Sequence, residues 1–241
     1  MNHLVGPAVE TASALRGMVA GVDSADIVIC PVFTVLQAVG KAVAGSNVAL
    51  GGQNCYTKES GAFTGEISPQ MLKDVGCAWV IVGHSERRQY FGETDALLCE
   101  KVKFARASGL KVMFCIGETL EERQGGRMNA VLERQVSKGL DGLAEADFAG
   151  LAIAYEPVWA IGTGVVASPE QAQEAHAFVR GLVRKQFSAS IADAVRIQYG
   201  GSVKPDNAAE LMGKPDVDGF LVGGAALKAD SFAAIVKNSS Q

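Results

Sequence analysis

Residues 79–88 read Trp-Val-Ile-Val-Gly-His-Ser-Glu-Arg-Arg, and residues 151–156 read Leu-Ala-Ile-Ala-Tyr-Glu. In both stretches, an apolar run typical of a buried parallel strand ends at a side chain that can exchange a proton. His84 follows the first run and Glu156 follows the second. If the carboxyl ends of both strands lie on the same face of the fold, this pair can hold and move a proton on a small substrate.

Similar strand-like runs recur along the chain, and helix-like stretches separate them. Together they predict seven strands, at residues 26–30, 48–51, 79–82, 112–116, 151–155, 196–199 and 219–222. Ser68-Pro69 and Ser168-Pro169 indicate two helix starts, because serine caps a helix and proline fits its first turn. The alternation of strands and helices predicts a parallel sheet, either doubly wound or closed into a barrel.

The segment from Pro7 to Val19 is helical in composition, and no strand-like run precedes it. A (β/α)8 barrel has a strand at that place, and a closed barrel leaves no edge. Seven runs therefore indicate an α/β fold of the (β/α)8 TIM-barrel type whose first β-strand is missing from this chain. We expect residues 1–241 to form a single barrel domain, because their number suits one domain and their composition shows no break.

The composition favours small-molecule chemistry. A net charge of −4 over 241 residues gives no basic face for a nucleic-acid backbone, and no apolar run approaches the ~20 residues of a membrane span. The five cysteines are scattered singly, which suits a reducing compartment, and the three histidines lack the spacing of a metal site. We therefore expect a cytoplasmic protein with no metal, no nucleic-acid partner and no membrane association.

Glycine-rich turns follow the last two predicted strands. Gly200-Gly201-Ser202 follows one of them, and Gly223-Gly224 follows the other. In barrels these loops converge at the carboxyl ends of the strands, and glycine lets backbone N–H groups approach an anion closely. We therefore predict that Ser202, Gly223 and Gly224 bind a phosphate, with Gly201 in a supporting role. For either glycine pair taken alone, an ordinary turn is the alternative.

Over essentially its whole length, the chain resembles the triosephosphate isomerase family. Besides the strings at 83–88 and 155–164, the matching strings lie at residues 53–54, 61–66, 115–118, 199–203 and 218–225. The resemblance implies that dihydroxyacetone phosphate and D-glyceraldehyde 3-phosphate interconvert through an enediolate, in glycolysis and gluconeogenesis, with no cofactor. It implies that Glu156 moves the proton while His84 polarises and protonates the substrate oxygens.

The resemblance also implies a mobile lid over residues 160–166, whose Gly162 N–H meets the substrate phosphate and whose closure excludes water. The stretch 53–68 is longer than an ordinary βα loop, and in the family it reaches a second subunit. We therefore expect a homodimer formed through this loop, with Thr64 and Gly65 near its tip. A flexible surface loop on a monomer is the alternative. Glu86 lies near the active site in the family and is expected to support it.

Four further polar side chains are expected to act structurally. Arg87 and Arg88 are typical of ion-pair residues, and Glu118 is expected to tie strand ends together. His176 lies in a helical stretch after Ser168, where a surface or packing role is expected.

The amino terminus departs from the family. There the first strand ends in Asn-x-Lys-Met-Asn, whose first asparagine and lysine contact the substrate. Met1-Asn2 match the last two residues of that string, and no other lysine lies at a matching position. Losing one such donor commonly costs ~3–4 kcal/mol of transition-state stabilisation, so we expect impaired activity. We expect Met1 to be an internal methionine of a longer product; an impaired protein that begins here is the alternative.

Two other functions fit the pattern. A non-catalytic barrel or interaction protein would keep the isomerase strings without the activity; the missing lysine favours it, whereas His84 and Glu156 oppose it. A barrel enzyme acting on another phosphorylated sugar or amino-sugar is the second alternative, but the paired histidine and glutamate strings fit the triose reaction better. Competition by an inert triose-phosphate transition-state mimic distinguishes an isomerase on triose phosphates from a binding module.

Overall fold

A computed structural model describes residues 1–161 and 167–239 of the protein and shows one curled parallel sheet with helices outside it. Each strand is the parallel neighbour of the next one along the chain. The strands are β1 (Ile27–Ile29), β2 (Val48–Gly52), β3 (Cys77–Val82), β4 (Lys111–Ile116), β5 (Leu151–Tyr155), β6 (Arg196–Tyr199) and β7 (Gly219–Phe220).

Helices connect the strands and form the outer layer. In the part of the chain that the structure describes, they are α1 (Val5–Met18), α2 (Leu36–Val43), α3 (Pro69–Asp74), α4 (Ser85–Phe91), α5 (Asp95–Ala107), α6 (Leu120–Gln124), α7 (Met128–Gly139), α8 (Pro169–Gln186), α9 (Ala189–Ala194), α10 (Pro205–Met212) and α11 (Ala229–Asn238). Both predicted serine caps are confirmed, because Ser68 Oγ and Ser168 Oγ accept backbone N–H bonds of 3.3 and 3.2 Å within α3 and α8. No helix among residues 1–161 and 167–239 is long and apolar enough to cross a bilayer.

Alternate strand residues pack into two separate apolar layers. The inner layer lies within the curl of the sheet and consists of Trp79, Ile81, Met113, Cys115, Ala152 and Ala154. The outer layer joins the strands to the helices and includes Val80, Val82, Phe114 and Ile153. Because successive side chains point to opposite faces, a strand covered on both faces is apolar throughout. This double burial explains why the runs at 79–82 and 151–155 are continuously apolar.

The seven predicted strands are confirmed, with shifts at their ends. β7 ends at Phe220, whereas the pattern predicts a strand over residues 219–222. The N–H of Leu221 still donates to the Tyr199 carbonyl at 3.0 Å, so the chain continues beside β6. On its other side, β7 has no strand partner in residues 1–161 and 167–239. Because only β6 pairs with it, the regular part of β7 is short.

The sheet has two free edges within the described residues, since β1 pairs with β2 alone and β7 with β6 alone. The helix predicted over residues 7–19 is α1, which packs against both α2 and α11. The outer layer of helices therefore continues across the place where the sheet is interrupted. The α/β barrel architecture is confirmed, with seven strands in the described parts of the chain.

His176 is a buried packing residue of α8. Its ring lies between those of Tyr155 and Tyr199, at centroid distances of 5.8 and 6.2 Å, and its Nδ1 lies 3.1 Å from the Asp216 carbonyl oxygen. Burial is the largest effect on this side chain and lowers its pKa from 6.5 to about 4. The imidazole is therefore neutral in the folded protein at neutral pH.

The depressed pKa of His176 predicts a loss of stability in mild acid. The unfolded histidine binds a proton below pH 6.5, whereas the folded one resists protonation until about pH 4. The contribution of His176 to stability is thus complete above pH 6.5 and falls by about 2–3 kcal/mol on acidification to pH 4.5. Urea unfolding at pH 7 and pH 4.5 should show a smaller acid loss for His176→Gln than for the wild type. An equal loss in the two proteins would contradict the assignment.

Candidate active site

The structure brings His84 and Glu156 together. His84 lies between β3 and α4, and Glu156 directly follows β5, so both stand at carboxyl ends of the parallel strands. His84 Nε2 is 3.0 Å from Glu156 Oε1. The glutamate is 1% exposed, whereas about a quarter of the histidine side chain is accessible. The pair therefore combines a buried carboxylate with an imidazole that a small molecule can reach.

Two glycines make room for Glu156. A Cβ on Gly117 would lie 1.8 Å from the Glu156 carbonyl oxygen, and one on Gly200 would lie 2.9 Å from its Cγ. The main chain approaches closely here because Glu156 N–H donates to the Ile116 carbonyl at 2.7 Å. Only glycine fits such an approach at residue 117. Gly117 belongs to a string that supports the family resemblance, but the sequence does not indicate which backbone it faces.

The carboxylate of Glu156 is held by Ser85 as well as by His84. The N–H of Ser85 donates to Oε2 at 2.9 Å, and its hydroxyl donates to Oε1 at 3.2 Å. Ser85 is the first residue of α4, where backbone N–H groups have no partner within the helix and favour an anion. This partner of Glu156 was not predicted, although its position directly after a strand-end histidine is the signal that could have found it.

The imidazole of His84 is oriented by the start of α4. Its Nδ1 accepts the backbone N–H of Glu86 at 3.3 Å, so the neutral ring carries its proton on Nε2. Burial alone would lower the pKa of His84. The hydrogen bond and charge of Glu156, with a smaller contribution from Glu86, outweigh burial and raise that pKa above 6.5.

This balance predicts a measurable change in the His84 titration. In Glu156→Gln the charge that raises the pKa is removed while burial remains, so the pKa of His84 should fall. Titration of the ring protons by NMR in the two proteins measures the shift directly. Glu86→Gln is the matched control and should give a smaller decrease, because Glu86 is the weaker of the two influences. An unchanged or higher pKa in Glu156→Gln would contradict the assignment.

The predicted phosphate-binding residues lie after β6 and β7, at the same end of the sheet as the pair. Ser202 Oγ donates to the Ala160 carbonyl at 3.3 Å, which connects this turn to the segment after Glu156. A Cβ on Gly201 would lie 2.2 Å from the Tyr199 hydroxyl oxygen, so the chain is tightly packed there. Gly223 and Gly224 are exposed, and a Cβ on either would have no neighbour within 4 Å.

Gly162 and most of the predicted lid, residues 162–166, lie outside the described residues. The chain leading to them is fixed by Glu118, a fully buried side chain. Glu118 Oε1 accepts the Trp159 indole N–H at 2.8 Å and the Tyr155 hydroxyl at 3.1 Å. Burial is the main cause that raises the pKa of Glu118. The expectation that Glu118 ties strand ends together is confirmed.

The two arginines of the His84 string form ion pairs, as predicted. Arg87 Nε lies 2.7 Å from Glu93 Oε1, and Arg88 contacts Asp95 at 2.6 Å. Glu93 also pairs with buried Lys101 at 2.6 Å. These contacts fix α4, and with it His84 and Ser85, against the following helix.

The loop 53–68 is held at its base. Lys101 Nζ donates to Asn54 Oδ1 at 2.8 Å, and the N–H of Tyr56 donates to the Ile67 carbonyl at 2.8 Å. Thr64 and Gly65 are both exposed.

In residues 1–161 and 167–239, His, Cys, Asp and Glu side chains form no group of three that could hold a metal ion.

Comparison with known proteins agrees with this geometry. The model of the triosephosphate isomerase family matches residues 1–239. The triosephosphate isomerase of Geobacter metallireducens is 61% identical over 211 residues, which cover 88% of this chain and 84% of that protein. The triosephosphate isomerase of Citrifermentans bemidjiense is 58% identical over 225 residues (93% and 90%), and that of Carboxydothermus hydrogenoformans is 56% identical over 234 residues (96% and 93%). This chain therefore belongs to the triosephosphate isomerase family.

Proposed function

We propose that this isomerase interconverts dihydroxyacetone phosphate and D-glyceraldehyde 3-phosphate through an enediolate, with Glu156 as the base and His84 as the electrophile. The observation that carries the proposal is the 3.0 Å contact between His84 Nε2 and Glu156 Oε1 at the carboxyl ends of two strands. One group of this pair accepts a proton and the other donates a hydrogen bond, which are the two functions that an aldose–ketose isomerisation requires.

Glu156 begins the reaction by removing a proton from the carbon next to the carbonyl. To do so, the carboxylate leaves the Ser85 donors, which hold it at 2.9 and 3.2 Å, and turns toward the substrate. The C–H electrons form the carbon–carbon double bond of the enediolate, and the carbonyl oxygen takes the negative charge. The protonated Glu156 then returns its proton to the neighbouring carbon, while the hydroxyl on the first carbon loses its proton to become the new carbonyl and the former carbonyl oxygen becomes a hydroxyl.

His84 stabilises the charge that develops on the substrate oxygen. The Glu86 N–H occupies Nδ1, so Nε2–H is the group that donates toward the space beside Glu156. A donor already aimed at the developing charge needs no reorganisation during the reaction, which makes its contribution large. Nε2 gives its proton to the former carbonyl oxygen and takes the proton of the neighbouring hydroxyl, so the ring again carries its proton on Nε2 when the reaction ends.

The substrate phosphate is proposed to bind to Ser202, Gly223 and Gly224, with Gly201 allowing the close turn. These residues follow adjacent strands, and their backbone N–H groups offer the donors that an anion requires. Gly162 is added to this set on the family resemblance alone. Binding at a phosphate distant from the reacting carbons positions the substrate against Glu156.

A homodimer formed through loop 53–68 is part of the proposal. The exposed tip at Thr64 and Gly65 supports it, as do the aromatic side chains of Tyr90 and Phe91, which are 70% and 67% exposed on α4. Large exposed apolar groups often mark a protein interface. Light scattering after size exclusion measures the oligomeric state.

The protein is proposed to act in the cytoplasm as one barrel domain. There its cysteines, all free thiols, remain reduced.

The activity is tested by a coupled assay of the 241-residue chain in both reaction directions, with Glu156→Gln as the matched baseline. The proposal predicts isomerisation well above this baseline, inhibited competitively by an inert triose-phosphate transition-state mimic. Mimic binding with no activity above the baseline would indicate a non-catalytic binding protein. If a folded protein shows neither binding nor activity, also when the Asn-x-Lys strand is added upstream of Met1, the proposal is overturned.

A further inference from the structure

A cavity of about 260 Å³ opens at the amino-terminal ends of the strands, the end of the sheet away from His84 and Glu156. The residues that line it lie on β3, β4, β5 and β6, on α9, and on the 3₁₀-helix Glu145–Gly150, which directly precedes β5. We name it the basal cavity. Its walls come from consecutive strands in the continuous part of the sheet, so it is built independently of the proposed catalytic pair.

The floor of the basal cavity is apolar and well packed. Phe148, Leu151 and Ile191 line it, and each is at most 8% exposed. Phe148 packs edge-on against Phe187, with 4.6 Å between the ring centroids. Trp79, also buried, closes the side of the cavity formed by β3. Such a floor can remove the apolar part of a small ligand from water.

Lys111 places a cation beside this floor. Its Nζ lies 5.2 Å from the centre of the Trp79 ring, a contact that holds the ammonium at the cavity. Within residues 1–161 and 167–239, no carboxylate lies within 4.0 Å of this nitrogen. The N–H groups of Lys111 are therefore available to an anion that enters the cavity.

The rest of the polar lining is also rich in donors. Arg196 Nη1 donates to Asp26 Oδ2 at 2.7 Å, and the other guanidinium N–H groups have no acceptor among the described residues. The hydroxyl of Ser190 lines the cavity as well. Glu145 is the one carboxylate among the described lining residues, and it is exposed at the rim. It is thus the lining group that opposes an anion.

We propose that the basal cavity binds a small carboxylate whose body consists of one or two aromatic rings. The carboxylate accepts hydrogen bonds from Lys111 and Arg196, and the rings lie on the apolar floor. A single negative charge suits this lining better than the double charge of a phosphate ester, because Glu145 repels both. The volume is slightly below the about 300 Å³ at which pockets for drug-sized molecules begin, which limits the ligand to small acids.

The probe is 2-naphthoate, titrated into the intact 241-residue protein by calorimetry. An inert triose-phosphate transition-state mimic is present at saturation, so that the candidate active site is occupied. We expect saturable binding with a Kd of about 1 mM or lower. The matched ligand is 2-naphthamide, which keeps the rings and lacks the charge, and it should bind about tenfold more weakly. The proposal does not depend on the isomerase activity.

NMR locates the bound probe, because the chain has two tryptophans in different places. Trp79 lines the basal cavity, whereas Trp159 bonds Glu118 near the candidate active site. The indole N–H signal of Trp79 should therefore shift as 2-naphthoate is added, while that of Trp159 should stay in place. A shift of the Trp159 signal without one of Trp79 would overturn the proposal.

Protein variants test the charges of the lining in both directions. Lys111→Gln removes a cationic donor and should weaken 2-naphthoate binding by about tenfold. Glu145→Gln removes the opposing charge and should tighten binding by about two- to fivefold, as expected for an exposed charge. Lys41→Gln, on the exposed surface of α2, is the matched control and should change Kd by less than about twofold.

The Glu145 variant keeps the test sharp, because poor folding can weaken binding but cannot tighten it. Equal affinities for 2-naphthoate and 2-naphthamide would overturn the proposal. Unchanged 2-naphthoate affinity in both Lys111→Gln and Glu145→Gln would do so as well.

Discussion

Glu156→Gln is expected to lower kcat by about 10²–10⁴-fold, because the amide cannot accept a proton from carbon. Glutamine has almost the same shape, and its side-chain oxygen can still accept the Ser85 N–H that now bonds Oε2 at 2.9 Å. The fold and the substrate KM should therefore change little. Steady-state kinetics in the coupled assay, with circular dichroism as a check on folding, measures the effect.

Glu86→Gln is the control for the Glu156 variant, since it removes a carboxylate from the same site without removing the proposed base. The Glu86 side chain is 69% exposed, and its carboxylate lies 3.7 Å from His84 Nδ1, on the side of the ring away from Glu156. Its loss should cost less than about threefold in kcat, as expected for an exposed charge. Similar losses in the two variants, or near wild-type activity of Glu156→Gln, would contradict the assignment of the base.

His84→Asn is expected to lower kcat by about 10²–10³-fold, the usual cost of removing one donor aimed at a developing oxyanion. Asparagine is a favourable helix cap, so it can replace His84 Nδ1 as the acceptor for the Glu86 N–H and preserve the start of α4. It does not extend to the position of Nε2 beside Glu156. Kinetics together with thermal unfolding separates the catalytic effect from the structural one.

His84→Ala completes this test because it removes the cap as well as the donor. Its stability should fall by about 1 kcal/mol relative to His84→Asn, while its kcat should be about the same as that of His84→Asn. Retention of near wild-type activity by His84→Asn would show that Nε2–H is not the electrophile.

The sequence predicts the strands best where both faces of the sheet are covered. Residues 151–155 are apolar at every position, because Ala152 and Ala154 face the inner layer while Leu151 and Ile153 face the outer one. The edge strands are predicted less well. The ladder of β7 stops at Phe220 although the apolar pattern continues to Val222, because a pattern reports burial and not the presence of a neighbour.

The residues of the candidate site were also predicted unequally well. His84 and Glu156 could be found because each ends an apolar run, and parallel strands place their carboxyl ends at one face. Ser85 and Gly117 act on Glu156 across distances of 71 and 39 residues in the sequence. Such contacts depend on how neighbouring loops pack, which local patterns do not encode. The exact neighbours of His176, buried between two tyrosines, were beyond sequence analysis for the same reason.

The most direct test of the central claim, that Glu156 carries a proton between two carbons, is isomerisation of D-glyceraldehyde 3-phosphate in deuterated water, followed by NMR. A carboxyl proton exchanges with solvent, so the dihydroxyacetone phosphate formed should carry deuterium at carbon 1. Because a single carboxylate works on one face of the enediolate, only one of the two hydrogens at that carbon should be replaced, and Glu156→Gln should incorporate almost none. Deuterium at both positions, or incorporation by Glu156→Gln at the wild-type rate, would contradict the account.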